Sequence, residues 1–123
     1  MLARERALSA VAAGDVIMGV AENGKEKLLF VYRTDESRIF ARHVTSQTKI
    51  EFGRDGKSRK TWDGGTCTIV STARLSDEDH EVVVGLDDKR RHAKTRPDQR
   101  LTKAEIRLIL TYGDFFRAHP LPE

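Results

Sequence analysis

The sequence predicts one mostly-β domain with terminal helices, in the α+β class, whose sheet packs against a C-terminal amphipathic helix. Its 123 residues suffice for one hydrophobic core but not for two, so residues 1–123 are expected to form a single domain. Short apolar runs separated by turn residues fill the middle of the chain, as in antiparallel sheets. The last element begins with a helix-capping signal and continues with helical periodicity.

The first third of the chain contains a helix and a hairpin signal. Residues 2–12 favour a short N-terminal helix. Two apolar runs, at 16–20 and 27–32, then flank Asn23 and Gly24. Asn-Gly tolerates the positive φ angles of a type I′ turn, whose twist matches that of paired strands, so this segment predicts a β-hairpin.

Further apolar or alternating runs extend the sheet. They predict strands at 38–44, 48–52, 66–73 and 81–86. The turns between them are short and polar, which favours an antiparallel meander through residues 15–86. Because an open meander exposes two strand edges, we expect it to curl into a small antiparallel SH3-like barrel or a strongly bent sheet.

The C-terminal segment carries a helix start signal. Thr102 and Glu105 are spaced as in a capping box, which predicts a helix over residues 102–117. Its sheet-facing residues are expected to be Ile106, Ile109, Leu110, Gly113 and Phe116.

Charge is segregated along the chain, although the net charge is only +3. Residues 53–62 carry four basic residues and one acidic residue, and residues 87–103 carry seven basic and three acidic residues. Between them, residues 63–86 carry one basic and five acidic residues. Residues 87–101 have little apolar content and predict a solvated basic loop.

These two basic segments indicate a polyanionic partner. Clustered Lys and Arg side chains neutralise phosphates and release counterions, which drives sequence-independent binding of DNA or RNA. Trp62 could stack an unpaired base, or it could plug one end of the barrel. A solvated charge run without a ligand is the other interpretation of the second segment. The candidate binding residues are Arg54, Lys57, Arg59, Lys60, Trp62, Lys89, Arg90, Arg91, His92, Lys94, Arg96 and Arg100.

Signals for catalysis and cofactors are weak. No phosphate-binding glycine loop, nucleophile elbow or paired-cysteine zinc spacing occurs. His92 lies among cations and could act as a general acid or base in RNA cleavage, but no second proton-transfer group can be assigned. The acidic cluster at 77–81 lacks the spacing of a calcium loop. We therefore assign no catalytic residue, no metal ligand and no cofactor.

The cysteine content indicates a reducing compartment. Cys67 is the single cysteine and lies in a β-like run, which predicts a buried, inert thiol in a cytoplasmic protein. No apolar stretch approaches the roughly 18 residues of a membrane helix, so no membrane partner is expected.

One family resemblance involves the start of the chain. Gly14-Asp15-Val16-Ile17 followed by a hairpin resembles the opening of the PemK/MazF-type toxins, which are small SH3-like barrels with endoribonuclease activity. The resemblance covers about the first thirty residues. Where that family has an Arg-Pro step in its second strand, this chain has Lys25-Glu26-Lys27-Leu28. No catalytic residue is transferred from it.

Three functions are compatible with these observations. The first is a non-enzymatic module that binds nucleic acid, mainly at its phosphates, through two basic loops at residues 54–62 and 89–100. The second is a protein–protein interaction module, an inhibitor or adaptor, that binds an acidic protein surface through the same loops or through an uncovered strand edge. The third is a small-barrel endoribonuclease. Oligomeric state and the choice between DNA and RNA stay open.

Overall fold

A computed structural model describes residues 2–58, 65–93 and 100–123. Within these ranges the elements follow in the order α1 (Ala3–Ser9), β1 (Val16–Ala21), β2 (Glu26–Thr34), β3 (Arg38–His43), β4 (Lys49–Gly53), β5 (Cys67–Ser71), α2 (Asp77–Ala93) and α3 (Lys103–Ala118). None of the helices in these ranges has the length and apolar content needed to cross a membrane.

The strands form one antiparallel sheet in the order β4-β3-β2-β1-β5. The sheet is curled, because the segment that follows β4 pairs with both outermost strands of the sheet, β4 and β5. Ser58 bridges to Phe52 of β4, and the neighbouring Lys57 bridges to Thr68 of β5. The amide of Ser58 also donates to the carbonyl of Cys67 at 2.9 Å. The predicted mostly-β fold, with a curled sheet against a C-terminal helix, is confirmed.

Residues on the enclosed face of the sheet form the inner core. Alternate positions along each strand point to this face, as the period of two requires. α1 and the end of the chain complete it: Gly56 lies against Leu8, and the amide of Leu121 donates to the carbonyl of Val70 at 2.8 Å. The buried residues of the inner core are Leu8, Val11, Ile17, Leu29, Val31, Ile39, Ala41, Ile50, Phe52, Cys67, Ile69 and Leu121.

Helices α2 and α3 cover part of the opposite, outer face. They lie side by side and antiparallel, because Lys89 pairs with Glu105 at 3.0 Å and the Tyr112 hydroxyl donates to Asp79 at 3.4 Å. Burial, and then the Asp79 carboxylate, raise the pKa of Tyr112. The buried residues of this second core are Val16, Met18, Leu28, Val44, Leu75, Val83, Leu86, Tyr112 and Phe116.

The predicted strand at 81–86 is wrong, and so is the predicted loop from residue 87, because Asp77–Ala93 is one helix. Ser76 explains its start: the Ser76 hydroxyl accepts from the amide of Asp79 at 3.1 Å, as an N-cap does. Acidic side chains occupy the first turn and basic side chains the last, which complements the helix dipole. Val83 and Leu86, three residues apart, then bury one face.

The β1–β2 hairpin is confirmed, but its turn type is not. Gly24 has φ of +84°, whereas Asn23 is not among the positive-φ residues, so a type I′ turn is excluded. The amide of Gly24 donates to the carbonyl of Ala21 at 2.8 Å, and the amide of Ala21 donates to Lys25 at 2.9 Å. These bonds define a three-residue loop with a type I turn and a glycine bulge.

The predicted sheet-facing side of α3 is only partly correct. Phe116 and Gly113 are buried and Ile109 packs partly against the outer core. Ile106 and Leu110, by contrast, are 44% and 60% exposed. The side of α3 that carries Ile106 and Leu110 is therefore not covered by the outer core.

The capping box at the start of α3 is confirmed. The Thr102 hydroxyl accepts from the amide of Glu105 at 3.1 Å, and the Glu105 carboxylate accepts from the amide of Thr102 at 2.8 Å. That backbone bond, followed by the Lys89 ammonium, lowers the pKa of Glu105. Because the folded pKa lies below the unfolded one, this contribution to stability is present at neutral pH and is lost as the pH falls through the folded pKa.

Removing the cap gives the first test. Thr102→Ala is expected to lower the free energy of unfolding by about 1 kcal/mol, since the amide of Glu105 loses its acceptor. Thr102→Ser keeps the hydroxyl and should be nearly neutral. Urea denaturation of the three proteins measures this, and equal midpoints for wild type and Thr102→Ala would show that the cap does not stabilise the helix.

Candidate nucleic-acid interface

The first basic segment is anchored to the fold through Arg54. Its guanidinium donates to the carbonyls of Leu8 at 3.1 Å, Val11 at 3.0 Å and Asp35 at 2.8 Å. These bonds connect the end of α1 to the β2–β3 turn, so Arg54 has a structural role. Lys57 is exposed. Arg59, Lys60 and Trp62 lie outside the described residues.

The second basic segment begins as the last turns of α2, which we call the basic end of α2 (Lys89–His92). Arg90 donates to the carbonyl of Thr45 at 2.8 Å and so fastens the helix to the β3–β4 turn. Arg91 pairs with Asp88, and His92 donates to the Asp88 carbonyl at 2.8 Å while 73% of its side chain is exposed. Arg100 is exposed, and Lys94 and Arg96 lie outside the ranges that the structure describes.

The anchored ends of the two basic segments lie at opposite ends of β3. Arg54 bonds Asp35, just before β3, and Arg90 bonds Thr45, just after it. A strand of six residues spans about 20 Å at roughly 3.3 Å per residue. Arg54 and Arg90 are therefore anchored about the length of β3 apart.

A second group of cations, absent from the sequence-based candidates, lies on the outer face of the sheet. We call it the aromatic–basic surface and define it by Tyr32, Arg33, Phe40, Arg42 and Lys49. The pairing of β2 with β3 shifts between Val31 and Arg33, so Tyr32 is the extra residue of a β-bulge. Cross-strand pairs then align Arg33 with Phe40 and Arg42 with Lys49.

In this surface, cations lie over aromatic rings. The Arg33 guanidinium carbon is 4.0 Å from the centre of the Phe40 ring. Around Tyr32, the Arg42 guanidinium carbon is at 5.2 Å and the Lys49 ammonium at 5.7 Å. All three distances are within the range of cation–π attraction. Each ring thereby holds a positive charge at the surface of the sheet.

Of the three cations in this surface, Arg42 is paired with a carboxylate, whereas Arg33 and Lys49 are not paired with one among the described residues. Arg42 is buried and bonds both oxygens of Asp87, at 3.3 and 2.7 Å. Within 2–58, 65–93 and 100–123, Arg33 and Lys49 have no carboxylate partner, and both are exposed. Their charge is therefore available to an anionic ligand.

The Arg42–Asp87 pair joins this surface to α2. Arg91 lies one helical turn after Asp87 and so on the same flank of the helix. Arg91 is exposed there. The Arg42–Asp87 pair therefore places the basic end of α2 beside the aromatic–basic surface.

Other reactive side chains have structural partners or are shielded from solvent. Cys67 is 3% exposed, and this burial raises the pKa of its thiol, which disfavours the nucleophilic thiolate. The His43 ring bonds the hydroxyls of Thr45 and Ser46 at 2.9 Å each, and the His80 ring donates to the carbonyl of Gly14 at 2.7 Å. In the described part of the chain, no three His, Cys, Asp or Glu side chains are grouped so that they could hold a metal ion.

A sequence signal for the aromatic–basic surface does exist. Arg38, Phe40 and Arg42 alternate with the apolar Ile39 and Ala41. Strand periodicity places the first three on one face, and a face with two arginines beside a ring does not belong in a core. The bulge at Tyr32 has no such signal, because it depends on the pairing of β2 with β3.

Comparison of the chain with protein-family models, curated proteins and solved structures found no match. The resemblance of its first residues to the PemK/MazF-type toxins gains no support from these comparisons.

Proposed function

We propose that the protein is a cytoplasmic, non-enzymatic module with an SH3-like barrel that binds nucleic acid, mainly through phosphate contacts. The cations concerned are those of the aromatic–basic surface and of the basic end of α2. The observation that carries the proposal is the position of Arg33 and Lys49, which are exposed, lack a carboxylate partner within the described ranges and lie beside aromatic rings. Arginine and lysine in this setting suit a polyanion.

An acidic protein surface is the second candidate partner, and one observation favours a protein ligand. Ile106 and Leu110 are exposed on α3, four residues apart and therefore on the same side of the helix. Exposed apolar neighbours of this kind occur at protein–protein interfaces. These two apolar side chains lie on α3, however, whereas the cations lie on α2 and the sheet. A nucleic acid that contacts the cations does not need to contact Ile106 or Leu110, so it is the first candidate partner.

The dependence of affinity on salt tests the proposal. Each lost phosphate contact should lower the magnitude of the slope of log affinity against log salt on duplex DNA by about 0.9. We therefore expect Lys49→Gln plus Arg91→Gln to lower it by about 1.8 if both side chains contact phosphate. Titration of labelled duplex across a salt series measures the slope.

The matched control is Arg4→Gln plus Arg6→Gln in α1, which removes the same charge near Arg54, at the other end of β3. This variant should leave the slope close to that of the wild type. Equal slopes for the two double variants would show general charge attraction rather than a site. If wild-type protein binds neither DNA nor RNA at about 50 mM salt, where such contacts are strong, the proposal is wrong and the acidic protein partner becomes the better assignment.

A further inference from the structure

We infer that the aromatic–basic surface selects single-stranded nucleic acid, with bases stacking on Tyr32 and Phe40. This inference rests on the function proposed above and assigns it a substrate class. It assigns a role to Tyr32 and Phe40, two aromatic side chains that do not contact phosphates.

The two rings are not part of either hydrophobic core. Phe30, the preceding outward-facing residue of β2, packs against the outer core under the helices, but Tyr32 and Phe40 belong to neither cluster. Both are half-buried at the surface of the sheet. Packing in a hydrophobic core therefore does not explain why aromatic residues occupy these two positions.

The two rings are inclined to each other, and the Arg33 guanidinium carbon lies 4.0 Å from the centre of the Phe40 ring. A flat ligand therefore reaches Phe40 by stacking on that guanidinium or by displacing it. The centroids of Tyr32 and Phe40 are 6.3 Å apart and the ring planes are inclined by 50°, so the rings do not stack face to face with each other. The bulge at Tyr32 and the strand pairing of Phe40 hold them on rigid elements. Unpaired bases stack on such rings, and also on arginine planes such as that of Arg33.

The ligand class follows from combining the rings with the cations. In a duplex the base faces are covered by neighbouring base pairs, so rings on a sheet surface cannot reach them. An acidic peptide would neutralise Arg33 and Lys49 but would offer no flat group to stack on the rings or on the Arg33 guanidinium. A single strand offers phosphates and base faces in alternation, and it matches both.

Anisotropy titrations with a dye-labelled oligothymidylate of about 12 nucleotides, and with a duplex of equal phosphate number, test this. The wild type should bind the single strand more tightly than the duplex. Tyr32→Leu and Phe40→Leu should each weaken single-strand binding by about 5- to 150-fold, while duplex binding and the salt slope stay unchanged. Tyr32→Phe keeps the ring and should bind as the wild type does.

Phe115→Leu is the matched aromatic control, because Phe115 is a half-buried ring on α3, stacked on His119. It should leave both affinities unchanged. Unchanged single-strand affinity in Tyr32→Leu and Phe40→Leu would overturn the inference, and the salt slope on duplex would then still support phosphate binding. A polyglutamate peptide that competes as well as the oligonucleotide at equal charge would also overturn it. Absence of binding to either oligonucleotide, and to single- and double-stranded RNA of the same length, would reject the proposed function itself.

Discussion

Asp87→Ala is expected to lower the free energy of unfolding by about 3–5 kcal/mol, because it leaves the buried guanidinium of Arg42 without its carboxylate. Asp87 is 2% exposed, and its carboxylate accepts from Arg42 and, at 3.1 Å, from the side chain of Gln47. These bonds fasten the middle of α2 to β3 and to the β3–β4 turn. Chemical denaturation followed by circular dichroism measures the loss.

The neighbouring Asp88 supplies a control of the same residue type in the same helix. Its side chain is 56% exposed and pairs with Arg91 at the surface, so Asp88→Ala should change the free energy of unfolding by about 0.5 kcal/mol or less. The double variant Arg42→Met plus Asp87→Leu removes both charges and should recover much of the stability that Asp87→Ala loses. Equal stability of Asp87→Ala and Asp88→Ala would contradict the buried pair.

Phe52→Ala should have an effect of similar size, about 3–5 kcal/mol, because it opens a cavity in the inner core. Phe52 is 0% exposed, and its backbone bridges to Ser58 where the curled sheet closes. β4 is paired with β3 on one side and bridged to Ser58 on the other, so its backbone has little freedom to collapse into the space. The unfolding midpoint in urea reports the change.

Phe40→Ala provides the comparison, because Phe40 is half-buried on the outer face of the adjacent strand. Its loss leaves no enclosed cavity, and the cost should be well below that at Phe52. If both variants lost the same stability, Phe40 would be a core residue, and the stacking role assigned to it would lose its structural basis.

The hairpin and the start of α3 could be predicted because each depends on residues that are close together in the sequence. The Asn23-Gly24 turn and the Thr102 capping box are each complete within a few residues, so the hairpin and the start of α3 were predictable. In α2, three consecutive β-branched residues, Val82–Val84, favoured a strand in propensity terms. The Ser76 cap and the charges at the helix ends decided the outcome instead.

The candidate site was predictable in kind but only partly in position. Exposed cations of the basic end of α2 were identified from charge clustering alone, whereas the carbonyl contacts that occupy Arg54 and Arg90 depend on distant turns. The aromatic–basic surface needs the register of β2 against β3, since a bulge is a property of a strand pair. The pairing register of β2 and β3 cannot be read from any short stretch of the sequence, because it depends on two separate strands.

The coverage of β5 bears on how the protein behaves at high concentration. Ser58 donates to the carbonyl of Cys67, the amide of Ile69 donates to Gly56, and Leu121 donates to Val70. A strand from another molecule could add here only by displacing these internal partners, and Leu121 would then leave the core. Sheet-to-sheet polymerisation through β5 is thereby disfavoured, and a physiological ligand on that side would have to recognise side chains instead of extending the main-chain ladder.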